Sequence, residues 1–167
     1  NIQGARHMKS KILIAFLAMF LLVWVVGANF ARIGGSFGES DFQHTEAIGA
    51  WVEMWNSYDL DQVDALFLNC EENLTYKSSE KQGIINGITA VREHHKEFGF
   101  VSGGKASDNK LWIDDVKSKR VAGSNFVTGT WFFQKPGEEV QEGTFTAVYS
   151  EHDGEFKIAH MHFANAE

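Results

Sequence analysis

The stretch Phe156-Lys157-Ile158-Ala159-His160-Met161-His162-Phe163 decides how the chain is read. Its aromatic and aliphatic content marks a strand, and successive side chains of a strand point to opposite faces. Unbroken alternation predicts that His160 and His162 share a face with Phe156 and Ile158, so two imidazoles stand in line with an apolar row. Imidazole is the side chain that titrates nearest neutral pH. Such a pair can carry protons, bind a metal or orient a ligand.

Working outward from that strand, residues 111–116, 121–134 and 140–150 are also rich in Val, Thr, Phe, Trp and Tyr and read as strands. Pro136-Gly137 and Asp153-Gly154 are the hairpin turns between them. Further upstream the period changes. Ser40-Asp41-Phe42-Gln43 fits a capping box opening a helix that runs to about Tyr58, with Ile48, Trp51, Val52 and Trp55 on one buried face. Asp59-Leu60-Asp61-Gln62 offers a second capping box before a short helix that buries Val63, Leu66 and Phe67. Residues 73–78 read as a strand, and residues 88–98 as a third helix that Gly99 stops. Helices first and an antiparallel meander afterwards give an α+β fold. The expected form is a cone-shaped, strongly curved antiparallel sheet wrapped around the N-terminal helices, with a cavity at its open end and a hydrophobic helix preceding the whole.

Residues 1–7 precede Met8 and read as an added leader. Residues 12–31 carry no charged side chain, with Lys9 and Lys11 before them and Arg32 after. Two readings of residues 8–31 stand. A cleaved signal peptide needs a basic start, an apolar core of roughly 7–15 residues and small residues at the cut, which Gly27-Ala28 supply. A retained anchor needs roughly 17–25 apolar residues, and the run is just long enough. Either way the domain that follows is exported, periplasmic or extracellular, or tethered to the membrane by residues 12–31. Residues 32–40, with Gly34-Gly35-Ser36-Phe37-Gly38, form a linker, and residues 41–167 form one domain. The net charge of −7 and the lack of a basic stripe argue against nucleic acid as a partner. Cys70 is the single cysteine, so the chain has no internal disulfide.

Four segments resemble the nuclear transport factor 2-like superfamily, and within it the SnoaL-like and ketosteroid isomerase-like proteins. Trp51-Val52-Glu53-Met54-Trp55-Asn56-Ser57-Tyr58-Asp59-Leu60-Asp61 is similar to that family's opening pair of helices. Gly87-Ile88-Thr89-Ala90-Val91-Arg92-Glu93 resembles its entry to helix three, Val127-Thr128-Gly129-Thr130-Trp131-Phe132-Phe133 a middle strand, and Phe156 to His162 its closing strand. The His-x-His ending also resembles the association domain of calcium/calmodulin-dependent kinase II. The resemblance implies a cone-shaped α+β fold, commonly a homodimer through the sheet, and no single activity. Phe156 stands where the family usually has Trp, and no residues match the isomerase's base and oxyanion donors or the epoxide hydrolase's Asp-Arg-Asp set.

The candidate site is built on these expectations. His160, His95 and Tyr76 are the candidate catalytic residues for cofactor-free acid–base chemistry of isomerase, cyclase or dehydratase type. Ile88, Val91, His95 and Phe98 share a helix face, so His95 is expected inward and His94 on the flank. Tyr76 is placed at the cavity mouth by the resemblance. Trp55, Tyr58, Trp112, Trp131 and His162 are the candidate ligand-binding wall, which suits a small hydrophobic ligand. A metal would need a third ligand beside His160 and His162, so neither metal nor cofactor is expected. Glu142 lies on the same strand side as Thr144 and Thr146. Phe98-Gly99-Phe100-Val101-Ser102-Gly103-Gly104 reads as a mobile lip over the cavity. In the alternative, a non-catalytic oligomerisation module, Ala159, Met161, Phe163, Ala147 and Tyr149 form an apolar outer face.

Overall fold

The computed structural model describes residues 42–166. The leader, the signal or anchor, the linker and the first capping box's Ser40 and Asp41 lie outside the described residues. Among the described residues no helix is long and apolar enough to cross a membrane. In chain order come α1 (His44–Ser57), α2 (Leu60–Leu66), β1 (Thr75–Lys77), β2 (Ile85–Asn86) and α3 (Ile88–Glu97). The long strands follow: β3 (Lys110–Val121), β4 (Ser124–Gln134), β5 (Gln141–His152) and β6 (Glu155–Asn165). The six strands form one curved sheet in the order β2-β1-β6-β5-β4-β3, antiparallel throughout except where β1 runs parallel to β6.

The three helices pack on one face of the sheet. Ile48, Trp51 and Met54 of α1, Leu60 and Val63 of α2, and Val91 of α3 meet Val127, Phe145, Ala147, Ile158 and Met161 from the strands. Asp59 caps α2 by accepting the Asp61 N–H at 3.0 Å, as the sequence predicts. Gly87 gives α3 no side-chain cap, so Glu71 supplies one from outside, accepting from the Thr89 N–H and hydroxyl. The sequence reads residues 121–134 as one strand, but the chain reverses at Ala122-Gly123, both at positive φ. That is the two-residue turn whose twist matches a hairpin, built here with an alanine in a conformation alanine seldom adopts. Asp153-Gly154 makes the same kind of turn between β5 and β6.

Two further expectations are corrected. The glycine-rich lip is not a free flap. Leu60 N donates to Val101 O, Val101 N to Tyr58 O and Lys105 N to Ser57 O, and Phe100 is buried. Asp61 accepts from the Ser102 hydroxyl at 2.6 Å and from the Gly103 N–H at 3.1 Å. The Ser102 hydroxyl, more than Gly103 or Arg92, holds the Asp61 carboxyl below its usual range.

The second correction changes the site. Val148 pairs with His160 but its neighbour Tyr149 pairs with Ile158, so Ala159 is an extra residue, a β-bulge. The bulge reverses the alternation. Ile158 faces the core before it, and Met161 and Phe163 face the core after it. His160 and His162 therefore lie on the outer face, opposite the helices, paired with Val148 and Thr146 and not in line with Ile158. Ala147, Tyr149, Met161 and Phe163, expected as an outer apolar face, are core residues, and Ala159 is the bulged residue itself.

Candidate functional site

Between α1 and the inner face of the sheet lies a cavity of about 370 Å³. Its wall is aromatic. Trp51, Trp55 and Tyr58 come from α1 and its cap, Tyr76 from β1, Trp131 and Phe133 from β4, Phe163 from β6, and Leu111 from β3. Its rim is polar: Ser79, Glu80, Glu97, Lys135 and Gln141, with Phe98 among them at 37% exposed.

The rings sit where they do for local reasons. Trp131 lies opposite Gly143 and Phe145 opposite Gly129 across the β4–β5 ladder. A Cβ on Gly143 would meet the Ala164 carbonyl oxygen at 1.8 Å and Trp131 Nε1 at 2.9 Å. The missing side chain is what lets the Trp131 indole reach across and donate to Ala164 O at 3.2 Å. Trp51 stacks on Phe163 with ring centres 5.1 Å apart, and Tyr76 leans on the same Phe163 at 5.9 Å. Trp55 makes edge contact with Phe98, Phe100 and Phe133. Tyr58 closes α1 in a left-handed conformation, and its hydroxyl accepts from Asn109 Nδ2 at 2.6 Å.

The polar groups of the wall divide into two sets. Trp131 Nε1 and the Tyr58 hydroxyl are satisfied within the protein. Trp51 Nε1 and Trp55 Nε1 are buried without an acceptor among the described residues. Tyr76 is buried, and burial alone raises its hydroxyl pKa far above the usual tyrosine range, so it stays a neutral hydroxyl.

The sequence-derived candidates are thus split by the fold. Trp55, Tyr58, Tyr76 and Trp131 are brought together around the cavity. Trp112 is not. It pairs with Phe132 on the outer face, stacked at 5.3 Å with the rings 9° from parallel and 38% exposed. His160 and His162 are on that outer face too, their rings 6.5 Å apart. His160 Nδ1 shares a 2.7 Å hydrogen bond with Thr75 Oγ1, and partial burial, then the charge of His162, pushes its pKa down.

His95 faces inward but stops short of the cavity. It sits behind the wall, against Phe100, Tyr76, Trp55 and Phe67 at 5.1–5.7 Å. Its Nδ1 lies 2.8 Å from Val91 O, and a carbonyl only accepts, so Nδ1 carries the hydrogen and Nε2 is left as an acceptor. Burial pushes its pKa down to about 4. His94, expected on the flank, is buried as well, between Tyr76 and Phe98, with neither ring nitrogen partnered. Burial lowers its pKa, followed by the charge of Lys81. Glu142 pairs with Phe132 on the outer face, away from the cavity. Among the described residues no group of three or more His, Cys, Asp or Glu could hold a metal ion.

Trp51 and Phe133 complete the aromatic wall, and Leu111 and Phe163 line the cavity without having been singled out for it. One signal was in the sequence. In the last strand the apolar residues fall at 156, 158, 161 and 163, and the odd step of three is the mark of a bulge. It moves Phe163 inward and both histidines outward.

Comparison of the sequence with known protein families finds no match, and comparison with curated proteins finds none either. The fold does have solved counterparts. An NTF2-like protein of unknown function from Pseudomonas putida KT2440 superposes with a TM-score of 0.63 at 11% identity, over 73% of this chain and 83% of that one. A candidate ketosteroid isomerase from Parabacteroides distasonis ATCC 8503 gives 0.60 at 15% identity, over 78% and 94%. A candidate calcium/calmodulin dependent protein kinase II association domain from Xanthomonas campestris gives 0.60 at 15%, over 79% and 91%. The fold is NTF2-like; at these identities the likeness speaks for architecture alone.

Proposed function

We propose that this is an exported or membrane-tethered domain that binds one small hydrophobic molecule in the aromatic cavity and assembles as a homodimer through the outer face of the sheet. The observation that carries the binding reading is the cavity itself. Its volume falls in the range of roughly 300–1,000 Å³ usual for ligand sites, and its wall is seven aromatic rings and a leucine. Export is supported by the uncharged run at residues 12–31 behind Lys9 and Lys11. Acid–base catalysis by His160 or His95 is not part of this reading, because neither lines the cavity. The test is thermal unfolding with small neutral aromatic compounds. A compound at about a hundredfold its Kd contributes about 2.7 kcal/mol, which raises Tm by roughly 5–10 °C for a chain of this size. A panel of such compounds that leaves Tm unmoved rejects the binding reading.

The outer face favours the dimer by its charge layout. Across the strands, Trp112, Phe132 and Glu142 form one row, and Asp114, Thr130 and Thr144 the next. Lys117, Thr128, Thr146, His162 and Lys77 form the third, and Lys119, Phe126, Val148, His160 and Thr75 the fourth. One end carries the Trp112–Phe132 pair with Glu142 and Asp114, and Lys110 one row beyond them; the other carries Lys77, Lys117 and Lys119, with threonines between. A two-fold axis along the threonine rows lays the second end of one copy, with its lysines, over the first end of the other.

A further inference from the structure

We propose that residues 79–84 are a strap across one edge of the cavity mouth, and that acid releases it through His94. This adds a control on access to the site of the binding reading above, and rests on that reading. Ser79 and Glu80 of the strap line the mouth, as do Glu97 and Phe98 at the end of α3. The strap is lightly held. Among the described residues no backbone–backbone hydrogen bond fixes residues 79–83. Three side-chain contacts hold it instead. The Glu80 N–H donates to Ser78 Oγ at 3.1 Å, Lys77 Nζ donates to Lys81 O at 2.7 Å, and Lys81 Nζ pairs with Glu97 at 3.0 Å. The last is its ion-paired tie to α3, and an exposed pair of this kind is weak.

His94 stands three residues before Glu97 on α3, within reach of it along the helix. Its ring is wedged between Tyr76 at 5.3 Å and Phe98 at 5.0 Å, and both its nitrogens are dry and unpartnered. The groups around it that carry or take charge are Tyr76 from β1, Lys81 from the strap, and His95 and Glu97 from α3 itself. The remaining charges of α3 are engaged elsewhere: Arg92 with Asp61 and Asp64, and Lys96 with Glu93. β2, Ile85 and Asn86, brings none. A neutral imidazole is tolerated in such a place, but an imidazolium needs water or a carboxylate. The carboxylate in reach is Glu97, and Lys81 already holds it. Protonated His94 takes Glu97, the Lys81 ammonium is expelled, and the strap comes away from α3. Burial, then Lys81, opposes this protonation, so release falls below the ordinary histidine range.

The test uses the ligand-free full chain, so its outcome is separate from whether any compound binds. Nuclear magnetic resonance follows the His94 ring from about pH 7.5 to about 5, a window that closes before His95 protonates at about 4. A neutral gadolinium chelate in the solvent reports which groups water reaches. Its relaxation of the Tyr76 ring is expected to rise severalfold with the His94 midpoint, while the Ala147 methyl in the core stays unaffected. His94→Phe keeps a ring between Tyr76 and Phe98 and removes the proton, so the rise should vanish. Lys81→Gln cuts the tie, so Tyr76 should be reached even at neutral pH. The proposal is overturned if His94 fails to titrate in the window, if Tyr76 stays dry while it does, or if Ala147 is exposed in step. It is equally overturned if the rise persists in His94→Phe. Should that variant not fold, Lys81→Gln decides alone: a Tyr76 ring still dry at neutral pH overturns it.

Discussion

His95 shows how a residue type that invites a catalytic reading is absorbed by packing. Its Nδ1–H is given to Val91 O, four aromatic rings close around it, and burial holds it neutral down to about pH 4. The consequence is a stability slope. Above pH 6.5 the histidine is neutral in both folded and unfolded chains. As pH falls from 6.5 towards 4 the unfolded chain takes a proton that the folded one refuses, so stability is lost across that window. An ordinary histidine and one at about 4 differ by about 3 kcal/mol. His94 shifts in the same direction and adds to the slope. The urea midpoint of the wild type should therefore fall between pH 6.5 and 4, and that of His95→Leu should fall less steeply; equal slopes would contradict this account of His95. Gly143→Ala is the other decisive residue change. A methyl there collides with the Ala164 carbonyl and the Trp131 indole, neither of which can retreat without breaking their hydrogen bond. A loss of about 2 kcal/mol or more in chemical denaturation is expected.

At the scale of the element, β6 carries the lesson about legibility. Its existence, its ends and its aromatic and aliphatic composition were plain in the sequence. So were α1, α3 and the Asp153-Gly154 turn, because helix period, strand content and turn chemistry are local. What could not be had from alternation alone was the face of His160 and His162, since one bulged residue at Ala159 reverses parity for everything after it. Trp112 was misplaced for a related reason: an aromatic on a strand fits either face until its cross-strand partner, Phe132, is known. The turn at Ala122-Gly123 was missed because alanine is an unusual first residue for it. The bulge itself is testable. Deleting Ala159 leaves Ile158 inward, His160 outward and Met161 inward, a regular strand, so the deletion variant should fold with near wild-type circular dichroism and cooperative melting. Were the alternation unbroken in the native strand, the same deletion would exchange the two faces of everything after Ile158, driving Met161 and Phe163 from the outer face into a core not built for them, and abolish cooperative unfolding.

At the largest scale, residues 42–166 form a sheet with two differently dressed faces. The inner one supplies the core and an aromatic cavity; the outer one has a Trp112–Phe132 stack, a threonine band and a row of lysines beyond the threonines. In the dimer proposed above, Trp112→Glu places a carboxylate in the interface, in the row that already holds Glu142. It should shift the full chain towards monomer in sedimentation velocity at micromolar concentration, while binding of small neutral aromatic compounds in the cavity is retained. An unchanged sedimentation coefficient would remove the outer face from the interface.

The claim on which the rest stands is that a small aromatic molecule occupies the inner cavity and not the outer stack. Intermolecular nuclear Overhauser effects from a bound neutral aromatic compound, the one that raises Tm most, to assigned aromatic side chains decide it directly. Cross-peaks to Trp55, Tyr76 and Phe133 and none to Trp112 or Phe132 are expected. Cross-peaks to Trp112 and Phe132 with silence from Trp55 and Tyr76 would contradict it.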